Sequence, residues 1–240
     1  MKHLSILTLL LALFVCSCQK GTTLASIDAC PIDTMVNDQY VNDAKEMLYQ
    51  NILKGVMVQD SDQPVFNQTE VNRVLSAIQS VYAMHTPRTD SIFNTDKIHA
   101  HKIYLLNSVI IKVDVNSLEI KNLVSGKPTG NADFDALLAK YHFTYNDKYP
   151  PDANLPFIGL YSDTWYNMKG MVPLFLKYPF IQGAQANGTV GDGNNITYRT
   201  SGTSRILDFS IGFGDCPAGC GGRITWEFSV DENCHATQVH

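Results

Sequence analysis

Arg223-Ile224-Thr225-Trp226-Glu227-Phe228-Ser229-Val230 is the stretch that decides the fold class. Ile224, Trp226, Phe228 and Val230 alternate with Thr225, Glu227 and Ser229, a period of two that predicts a strand with one buried face. Immediately upstream, 205–212 is nearly continuous apolar sequence around Asp208 and Ser210, and it predicts a second strand. Between the two lies a loop, 214–222, with four glycines, Pro217 and two cysteines. Further back, Ser201-Gly202-Thr203 predicts a turn into a strand over 195–200. Gly191-Asp192-Gly193-Asn194 predicts another, from a segment around 182–190. The last third of the chain therefore reads as antiparallel sheet.

The front of the chain has a different period. In 37–54, Tyr40, Val41, Ala44, Met47, Leu48 and Ile52 recur at intervals of three and four, and Gly55 follows as a stop. Val71, Val74, Leu75, Ile78 and Tyr82 repeat the stripe before Pro87. The segment 98–115 is rich in β-branched residues and predicts at least one strand, with Asn107-Ser108 available as a hairpin turn. Asn131-Ala132-Asp133 offers N-cap chemistry for a short helix reaching Tyr141, and strand-like runs follow at 142–145 and 157–161. Helices first and strands later predict an α+β fold, with the N-terminal amphipathic helices on one face of a mainly antiparallel C-terminal sheet.

The first residues predict an address. Met1-Lys2-His3 is a short positive start, and 4–15 is a twelve-residue uncharged run, too short to cross a membrane. The next residues, Val15-Cys16-Ser17-Cys18, resemble a bacterial lipobox, with a branched apolar residue three before Cys18 and a small one directly before it. That resemblance implies a signal peptide at 1–17, a thioether-linked diacylglycerol and an amide-linked, palmitate-type acyl chain on Cys18, and stable anchoring through more than one chain. Gln19 and Lys20 follow in place of an inner-membrane retention aspartate, which directs the expectation to the outer membrane of the cell envelope. A tether over 18–36 then leads to one domain over 37–240.

The 240 residues carry 18 basic and 23 acidic side chains, a formal charge of −5. Removing 1–17 takes away Lys2 and leaves 223 residues with a charge of −6, and an acidic chain argues against nucleic acid as a partner. Once Cys18 is lipidated, Cys30, Cys216, Cys220 and Cys234 remain, an even number in an exported chain. Of the three possible pairings, Cys216–Cys220 with Cys30–Cys234 is preferred, because Pro217 and Gly219 allow a tight bend and the second bridge ties the ends of the domain. Closure of Cys220–Cys234 across the last hairpin is the alternative. A zinc site or a redox pair would need two-residue cysteine spacing, which is missing.

The run Ile211-Gly212-Phe213-Gly214-Asp215-Cys216-Pro217-Ala218-Gly219-Cys220 resembles uncharacterised bacterial exported lipoproteins that share a Gly-aromatic-Gly-Asp-Cys-Pro-x-Gly-Cys loop. The resemblance extends to Asp43-Ala44-Lys45, Ile98-His99, Pro128-Thr129-Gly130-Asn131 and Gly191-Asp192-Gly193. It implies the class of protein and transfers no functional residue.

Physically, the loop has two uses. It is a structural staple in which Asp215 accepts loop amide protons, or a ligand platform in which Asp215, Arg223 and Glu227 present charges on a rigid scaffold. Trp165 and Tyr166, beside the polar Ser162-Asp163-Thr164, are expected to be an exposed aromatic pair for a ligand. His99 and His101, if on a strand, would share a face, but no third metal ligand is marked, so neither a metal nor a cofactor is expected. The chain lacks Gly-x-Ser-x-Gly, His-Glu-x-x-His and phosphate-loop motifs. The function expected is a lipid-anchored, non-catalytic binding or envelope-structural module for an unidentified envelope ligand or protein. The alternative is an extracytoplasmic hydrolase with Asp/Glu acid–base chemistry.

Overall fold

The computed structural model describes residues 30–57, 60–145, 151–152 and 154–240. Cys18, the signal segment and most of the tether lie outside the described residues. The fold is α+β, with two four-stranded antiparallel sheets and six α-helices among those residues.

Each helix starts where a short polar side chain takes up an orphan backbone N–H. Asp33 caps α1 (Thr34–Leu53), Asn67 caps α2 (Gln68–Tyr82), and Thr86 and Thr89 form a reciprocal box on α3 (Pro87–Asp90). Ser117 caps α4 (Leu118–Val124), Asn131 caps α5 (Ala132–Lys140), and Asn167 caps α6 (Met168–Phe175). A π-helical turn, Ser91–Thr95, continues α3. Helix α1 begins three residues before the apolar stripe that announced it, because Asp33 supplies the cap.

The first sheet has strand order β2 (Thr144–Tyr145), β3 (Phe157–Tyr161), β1 (Tyr104–Val113) and β4 (Ile181–Gly188). The second runs β5 (Asn195–Ser201), β6 (Ser204–Phe213), β7 (Gly222–Val230) and β8 (Ala236–Gln238). Two expectations are corrected here. Asn107-Ser108 does not turn a hairpin, since β1 runs straight through it, and the irregularity is a shift in its pairing with β4 between Leu105 and Val109. Nor is the 191–194 segment a hairpin turn. Strand β4 pairs with β1 and β5 pairs with β6, so this segment carries the chain from one sheet to the other.

The two sheets have separate cores. Val36, Tyr40, Ala44, Met47 and Leu48 of α1 and the stripe of α2 share a core with Leu207, Phe209, Trp226, Phe228 and Val230. The second core gathers β1, β3 and α4–α6 around Phe134, Phe143 and Phe175. Tyr49 brings the far end of α1 into the second core, so one helix belongs to both. Cys30–Cys234 fastens the chain just before α1 to the β7–β8 turn, across a sequence separation of 204. No helix among the described residues is long and apolar enough to cross a membrane.

Candidate functional site

The residues singled out in the sequence do not converge. Arg223 and Glu227 stand on the face of β7 away from the core, four residues apart, and each is committed elsewhere. Arg223 binds Asp192 at 2.5 Å and Ser210 Oγ at 2.8 Å, while Glu227 binds Arg199 at 2.6 Å. Asp215 sits at the entry to a 3-10 turn, Cys216–Ala218, and its carboxylate makes no cap hydrogen bond. The acid that ties the loop is Asp192 instead. Its carboxylate accepts from the Gly193 N–H, and its own N–H donates to the Cys216 carbonyl. The Gly193 amide and the Arg223 guanidinium together hold this carboxyl below the usual range.

The Cys216–Cys220 bridge closes the loop, as preferred from the spacing. Gly212 lets it lie flat, because a Cβ there would stand 2.3 Å from Cys220 Sγ and 2.8 Å from the Gly193 carbonyl oxygen. The loop is thus bound covalently to itself and by charge and close packing to the crossover between the sheets. Phe213 and Ile224, both about half exposed at 51% and 52%, carry the core face of β6 and β7 past the helices that cover the rest of it.

Trp165 and Tyr166 separate. Tyr166, expected to be exposed, is instead buried at 6%, with its hydroxyl donating to the Tyr141 carbonyl and its ring against Tyr141 and Phe143. Trp165 is half-buried and carries Lys102 Nζ 5.1 Å above its ring. The polar neighbours that suggested exposure are spent on the turn itself, where Ser162 Oγ donates to the Tyr141 carbonyl and accepts from the Thr164 N–H.

A more organised polar cluster lies where the chain crosses α1. Residues 97–103 form an extended strap before β1, outside any sheet, so the strand expected to place His99 and His101 on one face begins later, at Tyr104. Ile98 and Ala100 point into the core, at 0% and 5% exposure, and anchor the strap. Its backbone is satisfied by side chains in place of a ladder. Asp43 accepts from the Ala100 N–H at 2.6 Å, Glu46 from the Ile103 N–H at 3.3 Å, and Asn195 from the His101 N–H at 2.8 Å. The Gln50 amide donates to the His101 carbonyl at 3.0 Å. Thr189 closes the other side, its hydroxyl and N–H donating to the carbonyls of Lys102 and Ile103.

Asp43 also holds His99, with 2.8 Å between Oδ2 and Nδ1. A carboxylate only accepts, so Nδ1 carries the proton and Nε2 is the free ring nitrogen. The imidazole stacks on Tyr40, with centroids 4.9 Å apart, and its side chain is 46% exposed above a carboxylate only 8% exposed. The hydrogen bond that His99 donates to Asp43 raises its pKa, against the opposing effects of burial and Lys102. Three residues along, Glu46 is 1% exposed, and Oε2 has no hydrogen-bond partner among the described residues. Burial pushes its carboxyl up to about 7. Two further His–Asp pairs, His142 with Asp163 at 3.2 Å and His235 with Asp231 at 3.5 Å, are exposed on both sides and are not braced in this way. Among the described residues, no group of three or more His, Cys, Asp or Glu is placed to hold a metal ion.

This cluster is what sequence reasoning missed. Asp43, Glu46 and Gln50 fall at i, i+3 and i+7 on α1, a polar stripe beside the apolar one, and such a stripe reads as a solvated face unless another segment covers it. No family model, no curated protein and no solved structure matches the chain, so the site is read from its own chemistry.

Proposed function

We propose that the chain is an exported, lipid-anchored binding module of the bacterial cell envelope, tethered through Cys18 to the outer membrane and engaging an envelope ligand or protein. The observation that carries this reading is the cysteine pairing. All four cysteines from residue 30 onward pair with one another, a state that persists in oxidising compartments, and no unpaired cysteine remains among the described residues. The stapled 214–222 loop supports a binding role, since it holds exposed Phe213 and Ile224 on a scaffold that needs little ordering when a ligand arrives. Processing tests the anchor. The wild-type chain is expected in the membrane fraction, with globomycin blocking its maturation and Cys18→Ala releasing it. A soluble mature wild-type chain overturns the reading.

One observation favours the second class, an extracytoplasmic hydrolase, with a histidine in place of an Asp/Glu carboxylate as its base. His99 is an oriented, accessible imidazole backed by a buried carboxylate, the arrangement that prepares a general base. Hydrolytic turnover abolished by His99→Gln in a chain that still folds would move the protein to that class.

A further inference from the structure

The strap and the crossover between the sheets enclose a depression of about 420 Å³, lined by Lys97, His99, His101, Lys102, Thr189 and Asn194 among others. Every titratable side chain that lines it is basic, on a chain whose net charge is −5. The arrangement has a local cause. Ile98 and Ala100 are drawn inward, and the side chains of Lys97, His99, His101 and Lys102 are left at the surface. The imidazole is fixed in direction by Asp43 and the Tyr40 ring, with Nε2 left free, and both sides of the strap backbone are hydrogen-bonded, so the imidazole and the backbone that carries the lysines are in place before any ligand binds. We propose that this depression is an anion site for a phosphoryl group, bound by the Nε2–H of the His99 imidazolium together with the ammonium groups of Lys97 and Lys102. A dianion with three equivalent oxygens matches several cationic donors converging from one side, and ion-paired hydrogen bonds of this kind are the strong ones. The site is separate from the stapled loop, so its failure leaves the lipid-anchor reading untouched.

Two sources share this chemistry, a soluble phosphorylated ligand and the headgroup of an anionic phospholipid. The test follows the histidine ring resonances of the mature lipid-anchored protein in nonionic detergent. Inorganic phosphate and then pyrophosphate are titrated in, and in a separate arm the micelles are doped with phosphatidylglycerol in place of phosphatidylcholine. Saturable movement of the His99 resonance with phosphate or pyrophosphate supports the proposal and assigns a soluble ligand. Movement with phosphatidylglycerol alone supports it and assigns a headgroup. Lys97→Gln and His99→Gln are each expected to weaken binding at least tenfold. Lys97→Gln alters an exposed side chain outside the strap's hydrogen bonds, so it serves if His99→Gln does not fold. Affinity should fall as pH rises through the His99 pKa, whose surroundings are Asp43, Glu46 and Tyr40 on α1, Lys97, His101 and Lys102 on the strap, and Asp192, turned toward Arg223, on the crossover. No movement in any arm, or wild-type affinity in Lys97→Gln, overturns the proposal.

Discussion

The stapled loop at 214–222 and the strap at 97–103 are both irregular segments that border the crossover between the sheets, yet they are fixed by opposite means. The loop is held locally, by a bridge between residues four apart, by Gly212 and by a partly exposed ion pair. The strap is held by partners more than fifty residues away on α1, two of them carboxylates that are almost fully buried. A covalent loop tolerates changes in pH and salt, whereas a buried carboxylate that braces a backbone makes the structure answer to protons. The loop is accordingly the rigid platform and the strap the proton-responsive element.

The largest expected effect distinguishes the two bridges. In the chain-entropy account of disulfides, a bridge spanning 204 residues is worth roughly 5 kcal/mol and one closing four residues roughly 2 kcal/mol. Urea unfolding of Cys30→Ser/Cys234→Ser and of Cys216→Ser/Cys220→Ser should therefore rank in that order. The reverse order would mean that the small loop organises far more of the fold than its own residues.

Glu46 carries the next effect, and it belongs to the strap. Its carboxyl rises from 4.5 unfolded to about 7 folded, so the native state binds the proton more tightly. The sign follows. The contribution is complete below pH 4.5 and is lost as pH rises through about 7, on the order of 3 kcal/mol in all. Glu46→Gln keeps an oxygen to accept the Ile103 N–H and should flatten this part of the stability profile, measured as the urea midpoint between pH 5 and 8. An unchanged slope would show that Glu46 ionises freely in the native state.

Smaller effects belong to the loop. Gly212→Ala places a methyl group against Cys220 Sγ and the Gly193 carbonyl, and should cost about 1–3 kcal/mol by thermal melting. Asp192→Ala removes an ion pair whose side chains are 35% and 29% exposed, and should lower the melting temperature only slightly, by less still in high salt. Asp215→Ala, at an exposed carboxylate without a cap bond, should leave the melting temperature within error of wild type.

The same contrast explains what could be read from the chain beforehand. Strand β7 was legible because alternation at 223–230 is a local property, and the loop because cysteine and glycine spacing is local as well. Helix α6 was not legible. Gly170 and Pro173 interrupt its eight residues, and Gly170 is there because its Cα lies against the backbone of Asp62 and Gln63, a long-range contact. The crossover at 191–194 resembled a hairpin turn because turn residues mark a change of direction and not the strand that pairs next. Asp43, Glu46 and His99 were unreadable as a site for the same reason. Their chemistry is created by the strap lying over α1, which no spacing within α1 records.

The proposed identity turns on the other end of the chain, and the mass of the N-terminal peptide of the protein purified from membranes tests it most directly. The account predicts a peptide beginning at Cys18 that carries a thioether-linked diacylglycerol and an amide-linked acyl chain, with Cys30, Cys216, Cys220 and Cys234 all oxidised. An unacylated N-terminus on a soluble chain, or Cys18 found in a disulfide, would contradict it.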